Sequence, residues 1–296
     1  MLLQVSVNRL NRRSRVPESF SDKSTVIGVV ELGFKFEGEQ VVGTIDPALG
    51  EWYKDATGSF YWGGGLLKLP GRVISNFKDL PINLPSNFRL GIDISHHNTR
   101  LDWQAFKNAG CEFVFIKVSD GVGTPDTQAP LHAQTALQQN FRIGYYHFCH
   151  ADMKSGGTIE KDAQNEAKDA MSRMQGLPMA DLPFVLDLED DNTPLSPKQY
   201  TDWVKTFIAT MTLPFTRKGI MIYSRKEFLD RRLESGHDLG QQVKLWISRY
   251  PEHPDMNNVP SPAGWNDWSI WQYKDKGIIG TSSPLDLNIM KDSTLF

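Results

Sequence analysis

Two cysteines in 296 residues, Cys111 and Cys149, are too few for a disulfide-stapled scaffold, so an apolar core must hold the fold. No apolar run approaches the roughly 20 residues that a membrane-spanning helix needs. The formal net charge of −3 argues against bulk electrostatic binding to nucleic acid or anionic lipid. Internal repeats and low-complexity tracts are missing, which excludes a repeat architecture. The opening MLLQVSVNRLNRRSR puts its basic residues after a short apolar stretch, the reverse of a secretory signal. The expectation is a chain made in the cytoplasm without a recognisable signal peptide.

What is present suits a large core and an aromatic-lined cleft: 40% hydrophobic residues, eight tryptophans and sixteen phenylalanines. The charge is uneven. Residues 1–69 carry eight basic and eight acidic side chains, whereas residues 90–296 carry 21 and 26. A length of 296 residues accommodates one large domain and a small one.

Residues 25–67 read as short strands, VIGVVELGFKF, EQVVGTI, EWYKD and SFYWGGGLL, punctuated by DPALG and ATG. A Pro- and Asn-bearing stretch over 71–89 reads as a linker. From residue 90 strands alternate with helices. The strands are GIDIS (91–95), FVFIKVS (113–119), IGYYHFC (143–149), FVLDLE (184–189), GIMIYS (219–224), LWIS (245–248), SIWQY (269–273) and PLDLNIM (284–290). Helices fit at 102–109, 130–139, 158–174, 197–211 and 226–233. Eight apolar strands with helical crossovers predict a buried parallel barrel. Four prolines in PEHPDMNNVPSPAG (251–264) forbid a helix there, so the barrel is irregular and lacks helices in its C-terminal third.

In such a barrel the strand C-termini form the active mouth. Asp93, Asp187, Glu189 and Asp286 come from three strands yet should converge there. Asp187-Leu188-Glu189 is the sharpest local signal. Alternate strand residues share a face, which places both carboxylates inside, about 7 Å apart at Cα. Two such charges cannot both ionise easily, so one becomes a proton donor at neutral pH, as glycosidic cleavage requires. The competing reading is a set of acids at the start of the next helix, which suits Asp190 and Asp191 better. Tyr146, Trp271, Tyr223, Trp246 and Tyr273, with Gln272, are candidate sugar contacts, with a plain core role as the alternative for the aromatics. His96, His97, His147 and His150 beside Cys149 raise a zinc site, but they spread over two strand ends, and packing or substrate hydrogen bonding is preferred. Cys111 precedes one strand and Cys149 ends the next. They should lie at opposite barrel ends, over ~16 Å apart, and stay thiols.

In order, GIDISHHN, FVFIKVSDG, IGYYHF, FVLDLE, GIMIYS, LWISRY, WSIWQY and PLDLN closely resemble the motifs of glycoside hydrolase family 25, the lysozymes, over residues 90 to about 291. The resemblance implies an irregular TIM-like barrel and metal-free, cofactor-free cleavage of the β-1,4 bond from N-acetylmuramic acid to N-acetylglucosamine. It implies that Glu189 is the general acid and Asp187 its partner at the N-acetyl group or an attacking water, with Asp93 and Asp286 completing the acid set. Asp120 stands where the family usually has Glu, and Asn98 where Gln is common. LNRRSRVP, VIGVVELG and EWYKDATGSFYWGGGLL are similar to bacterial Src-homology-3-like modules. That implies a small all-β barrel over residues 1–70 that binds cell wall, with Trp52, Tyr53, Tyr61 and Trp62 as contacts or as core. The expected partner is bacterial peptidoglycan, reached by release, injection or export, with a phage particle or a delivery apparatus as carrier. A non-catalytic glycan-binding protein and a hydrolase of a related polymer such as chitin are the alternatives. Retaining and inverting chemistry both remain open.

Overall fold

The computed structural model describes residues 2–68 except 44 and 56, and residues 84–295 except 86. The expected linker, 71–89, falls mostly outside these described residues. The chain divides into two compact units, Met1–Val73 and Ile74–Phe296.

The first unit is a seven-stranded antiparallel sheet. Its strands are β1 (Leu2–Val5), β2 (Arg9–Arg13), β3 (Val26–Glu31), β4 (Lys35–Gln40), β5 (Trp52–Asp55), β6 (Phe60–Trp62) and β7 (Leu66–Lys68), in the order β3-β2-β6-β5-β4-β1-β7. Val5, Leu10 and Tyr61 centre its core, with the Phe36 and Tyr61 rings 4.2 Å apart. So small a unit has few apolar side chains to spare, and its aromatics are drawn inward. Trp52, Tyr53 and Tyr61 are fully buried, with Trp52 Nε1 donating to Leu49 O at 3.1 Å and Tyr61 OH to Asp55 Oδ2 at 2.8 Å. Of the four aromatics read as wall contacts or as core, only Trp62 is partly exposed.

The second unit is a closed barrel of eight strands: β8 (Phe88–Ile94), β9 (Cys111–Asp120), β10 (Arg142–Phe148), β11 (Phe184–Asp187), β12 (Ile220–Arg225), β13 (Lys244–Ser248), β14 (Ile270–Gly277) and β15 (Leu285–Lys291). Helices α1 (Trp103–Asn108), α2 (Ala129–Gln138), α3 (Ile159–Met174), α4 (Pro197–Thr210), α5 (Lys226–Arg232) and α6 (Leu239–Gln242) fall between the strands up to β13. Local chemistry starts them: Asp102 and Thr158 cap α1 and α3, and Ser196 with Gln199 forms a capping box ahead of Pro197 on α4. Among the described residues no α-helix joins β13 to β14 or β14 to β15, and no helix is long and apolar enough to cross a membrane.

The barrel is not all-parallel. Strand β15 runs antiparallel to both β14 and β8, while the other neighbours are parallel. The connection over 278–284 is too short for the crossover of a dozen or more residues that a parallel return needs.

Side chains alternate across the barrel wall. Outward residues such as Ile92, Val114, Leu186, Ile222 and Ile247 meet the helices in the main core. Inward residues Phe113, Phe115, Val185, Met221, Ile270 and Met290 fill the barrel floor. Two glycines admit the phenylalanines. A Cβ on Gly91 would lie 2.4 Å from the Phe113 ring, and one on Gly144 would lie 2.2 Å from Phe115 Cε1. Cys111 and Cys149 are both buried free thiols.

Candidate active site

Above that floor the parallel strands end in polar residues around a cavity of about 330 Å³. Asp187 ends β11 and Glu189 follows two residues on; both line the cavity, as their shared face predicts. Asp93 comes from β8 and Asp286 from β15, where they are direct cross-strand partners. The reversal of β15 is what brings Asp286 to the mouth: it lies near the start of its strand, which is the end that meets the C-terminal ends of the others. All four sequence-derived acids therefore converge.

Their protonation follows from the surroundings. Asp93 Oδ2 accepts Gln272 Nε2 at 2.8 Å and Asn288 Nδ2 at 2.7 Å. Burial raises the Asp93 pKa, and these amides oppose the rise by favouring the charged form, as does a hydrogen bond from Asp286. Asp286 is pushed up to about 9, first by burial and then by the charge of Asp93. The pair shares one proton, and Asp286 holds it. Asp187 lies well above the usual carboxylate range, through burial and then the charge of Glu189, and its buried Oδ1 has no partner among the described residues. Glu189 is raised mainly by burial, while Arg225 and Lys117 pull it down.

The amide pair is itself held. Tyr223 OH donates to Gln272 Oε1 at 2.8 Å, Tyr250 OH donates to the same oxygen, and Trp246 Nε1 donates to Asn288 Oδ1 at 2.9 Å. Tyr146, Tyr223, Trp246 and Gln272 line the cavity. Trp271 and Tyr273 do not. On β14 the alternation turns Gln272 inward and sends its neighbours to the outer core, where Trp271 Nε1 donates to Arg249 O at 2.9 Å. Their candidacy as sugar contacts is corrected accordingly.

An ion chain at the rim was not assigned a role from sequence. Lys117 points into the cavity, bonds Asp120, and sits 4.8 Å over the Phe148 ring. His150 bridges Asp120 Oδ1 at 2.6 Å and Asp190 Oδ2 at 2.7 Å. These bonds, led by Asp120, push His150 up to about 9, so it is an imidazolium at neutral pH. The signals for Lys117 and Asp120 were their place at the end of FVFIKVSDG and the alternation that puts Lys117 on the same face as Phe115.

The rings of His96, His147 and His150 lie in separate surroundings. His96 Nδ1 pairs with Asp126 at 2.9 Å, and its ring lies 3.9 Å from that of His97. His147, Cys149 and Glu166 approach within 4.8 Å of one another, fully buried. Both ring nitrogens of His147 are taken at 2.8 Å, by Glu166 Oε2 and Ser119 Oγ, and Glu166 also accepts the His150 amide. Cys149 Sγ donates to the His147 carbonyl at 3.6 Å. This donor set is already satisfied as a core network tying α3 to β9 and β10.

The family model described as glycosyl hydrolases family 25 matches residues 92–281. Lysozyme M1 of Streptomyces globisporus is 27% identical over 204 residues, covering 67% of this chain and 66% of that protein, so the chain spans just under two thirds of its length. An N,O-diacetylmuramidase of Arthroderma benhamiae is 25% identical over 205 residues, covering 66% of this chain and 80% of the relative. Among solved structures, a family GH25 lysozyme from Aspergillus fumigatus superposes with a TM-score of 0.55 at 24% identity, over 69% of this chain and 94% of that one.

Proposed function

The chain belongs to glycosyl hydrolase family 25, and from that premise we infer that it is a muramidase, cleaving peptidoglycan between N-acetylmuramic acid and N-acetylglucosamine. The observation that carries this reading is the convergence of Asp93, Asp187, Glu189 and Asp286, all with raised proton affinity, on one cavity. Glu189 is the proton donor to the leaving oxygen. Burial keeps it protonated, and the nearby Arg225 and Lys117 stabilise the carboxylate it leaves behind. Asp187 stands deeper, and its unpartnered Oδ1 is offered to the substrate's N-acetyl group or to an attacking water. The Asp93–Asp286 pair keeps one buried negative charge, fixed by Gln272 and Asn288, in the field of the oxocarbenium-like transition state. Tyr146, Tyr223, Trp246 and Gln272 give the sugar its wall.

The barrel is of the irregular TIM-like kind, with one reversed strand. The N-terminal sheet acts as a Src-homology-3-like cell-wall module, in which Trp62 is the one of the four candidate aromatics left to touch a ligand. Tethering of this kind raises the local substrate concentration without adding catalytic contacts.

Digestion of purified peptidoglycan, followed by borohydride reduction of the new chain ends, tests the assignment. Muramidase action yields reduced muramic acid. Reduced glucosamine ends would overturn the choice of bond. An absence of new ends would leave a glycan-binding protein, and cleavage of chitin oligomers alone would move the substrate to another N-acetylated polymer.

A further inference from the structure

We propose that Arg225, Arg231 and Arg232, gathered around Asp191 at the rim of the cleft, form an anion-binding subsite for a peptide-borne carboxylate of the peptidoglycan strand. The proposal rests on the muramidase reading and extends it from the sugar to the peptide that the sugar carries.

Asp191 lies two residues past Glu189. Arg225 ends β12, the neighbour of β11, while Arg231 and Arg232 end the helix that follows it. Arg225 Nη2 reaches Asp191 Oδ2 at 2.7 Å, Arg231 Nη2 bonds Oδ1, and Arg232 Nη2 donates to the Asp191 carbonyl at 2.6 Å. One carboxylate thus faces three guanidiniums. Lys226 is neutralised by Asp230, and Glu227 bonds none of the three, so the cluster keeps an excess of positive charge around Asp191.

A structural clamp from β11 to α5 needs one arginine. Each guanidinium carries five N–H donors in a planar fork that matches a carboxylate. Among the described residues each of these three makes a single hydrogen bond, and Arg232 Nε is buried with no partner. Arg225 and Arg231 have side chains 46% and 59% exposed, so the free donors are open to a ligand.

Position supplies the ligand class. The charge of Arg225 acts on Glu189, which sets the cluster within electrostatic reach of the proton donor. Muramic acid carries its peptide on the lactyl group of the sugar beside the scissile bond. The peptide must leave the cleft close to that donor, and its carboxylates would otherwise meet a mouth already crowded with acids. A cationic rim offsets that repulsion and holds the peptide in register.

Arg231→Gln removes one exposed charge without touching the cavity. Turnover and equilibrium binding are measured on uncross-linked glycan chains bearing their peptides, on the same chains after amidase removal of the peptides and amidation of the lactyl carboxyls this frees, and on peptide-bearing chains with amidated carboxyls. On the first substrate Km and Kd should rise roughly three- to tenfold, as for loss of one charge-assisted contact, with little change on the other two. Those two substrates also report on folding. Equal change on all three, or no change on any, overturns the proposal. If the wild type cleaves none of the chains, the muramidase reading fails, while the binding arm still decides whether the arginines select a carboxylate.

Discussion

Replacing Asp286 by Asn should stabilise the barrel, by an amount that depends on pH in a set direction. Asp286 titrates near 3.8 when unperturbed and is pushed up to about 9 in the fold. Between those values the folded chain holds a proton that the unfolded chain has released. Stability therefore falls as pH rises, by up to ~1.4 kcal/mol per pH unit for one proton. From 3.8 to neutrality the ceiling is about 4 kcal/mol, and water in the cavity with proton sharing by Asp93 brings the expected penalty to about 1–3 kcal/mol. Asn at this position still donates to Asp93 but adds no charge. The variant should melt about 3–8 °C higher at pH 7, with no gain below pH 4 and the full gain above pH 9, while turnover falls. Thermal unfolding of both proteins at pH 4, 5.5, 7 and 8.5 checks this. A constant offset, or a less stable variant at pH 7, would refute the shared-proton account.

Two further outcomes follow from the same geometry. His150→Gln removes the imidazolium between Asp120 and Asp190; a group raised to about 9 stabilises fully below its unperturbed value of 6.5 and loses that effect as pH passes 9. Since the site is about a third exposed, the difference should stay under about 1 kcal/mol. It should appear in melts at pH 6 and vanish at pH 10, and the alkaline limb of kcat/Km should move upward as Asp120, no longer shared with His150, offsets more of the Lys117 charge that acts on Glu189; an unmoved limb would separate the ion chain from Glu189. Gly144→Ala pushes a methyl group into Phe115 and should cost about 1–3 kcal/mol in chemical denaturation; an unchanged midpoint would contradict the close-packed floor.

The strands and the four acids were legible because their information is local. The run FVLDLE carries its own alternation, so Asp187 and Glu189 on one face needed no knowledge of neighbours. The same rule, applied to SIWQY, would have separated Gln272 from Trp271 and Tyr273, which a shared strand end grouped together as candidate sugar contacts. The ten residues that the sequence leaves between SIWQY and PLDLNIM, 274–283, were already short for a crossover, although the sequence reading took the barrel as parallel; the structure narrows the connection to 278–284. Other features had no such trace. His150 meets Asp120 and Asp190 across separations of 30 and 40 residues, and Asp191 meets Arg225 and Arg231 across 34 and 40, contacts that only barrel closure creates. In the first unit, the sequence left Trp52, Tyr53 and Tyr61 open between ligand contact and core, because a core of so few residues draws on the same aromatics; the structure buries all three.

Glu189→Gln is the most direct test of the mechanism. The substitution keeps the shape and hydrogen bonding of the side chain and removes only the transferable proton. Release of muramic acid reducing ends from purified walls should fall by ~10²–10⁴-fold, with glycan binding and melting temperature retained. A folded Glu189→Gln protein that releases those ends at a near-normal rate would place the proton donor elsewhere in the cavity and contradict the account.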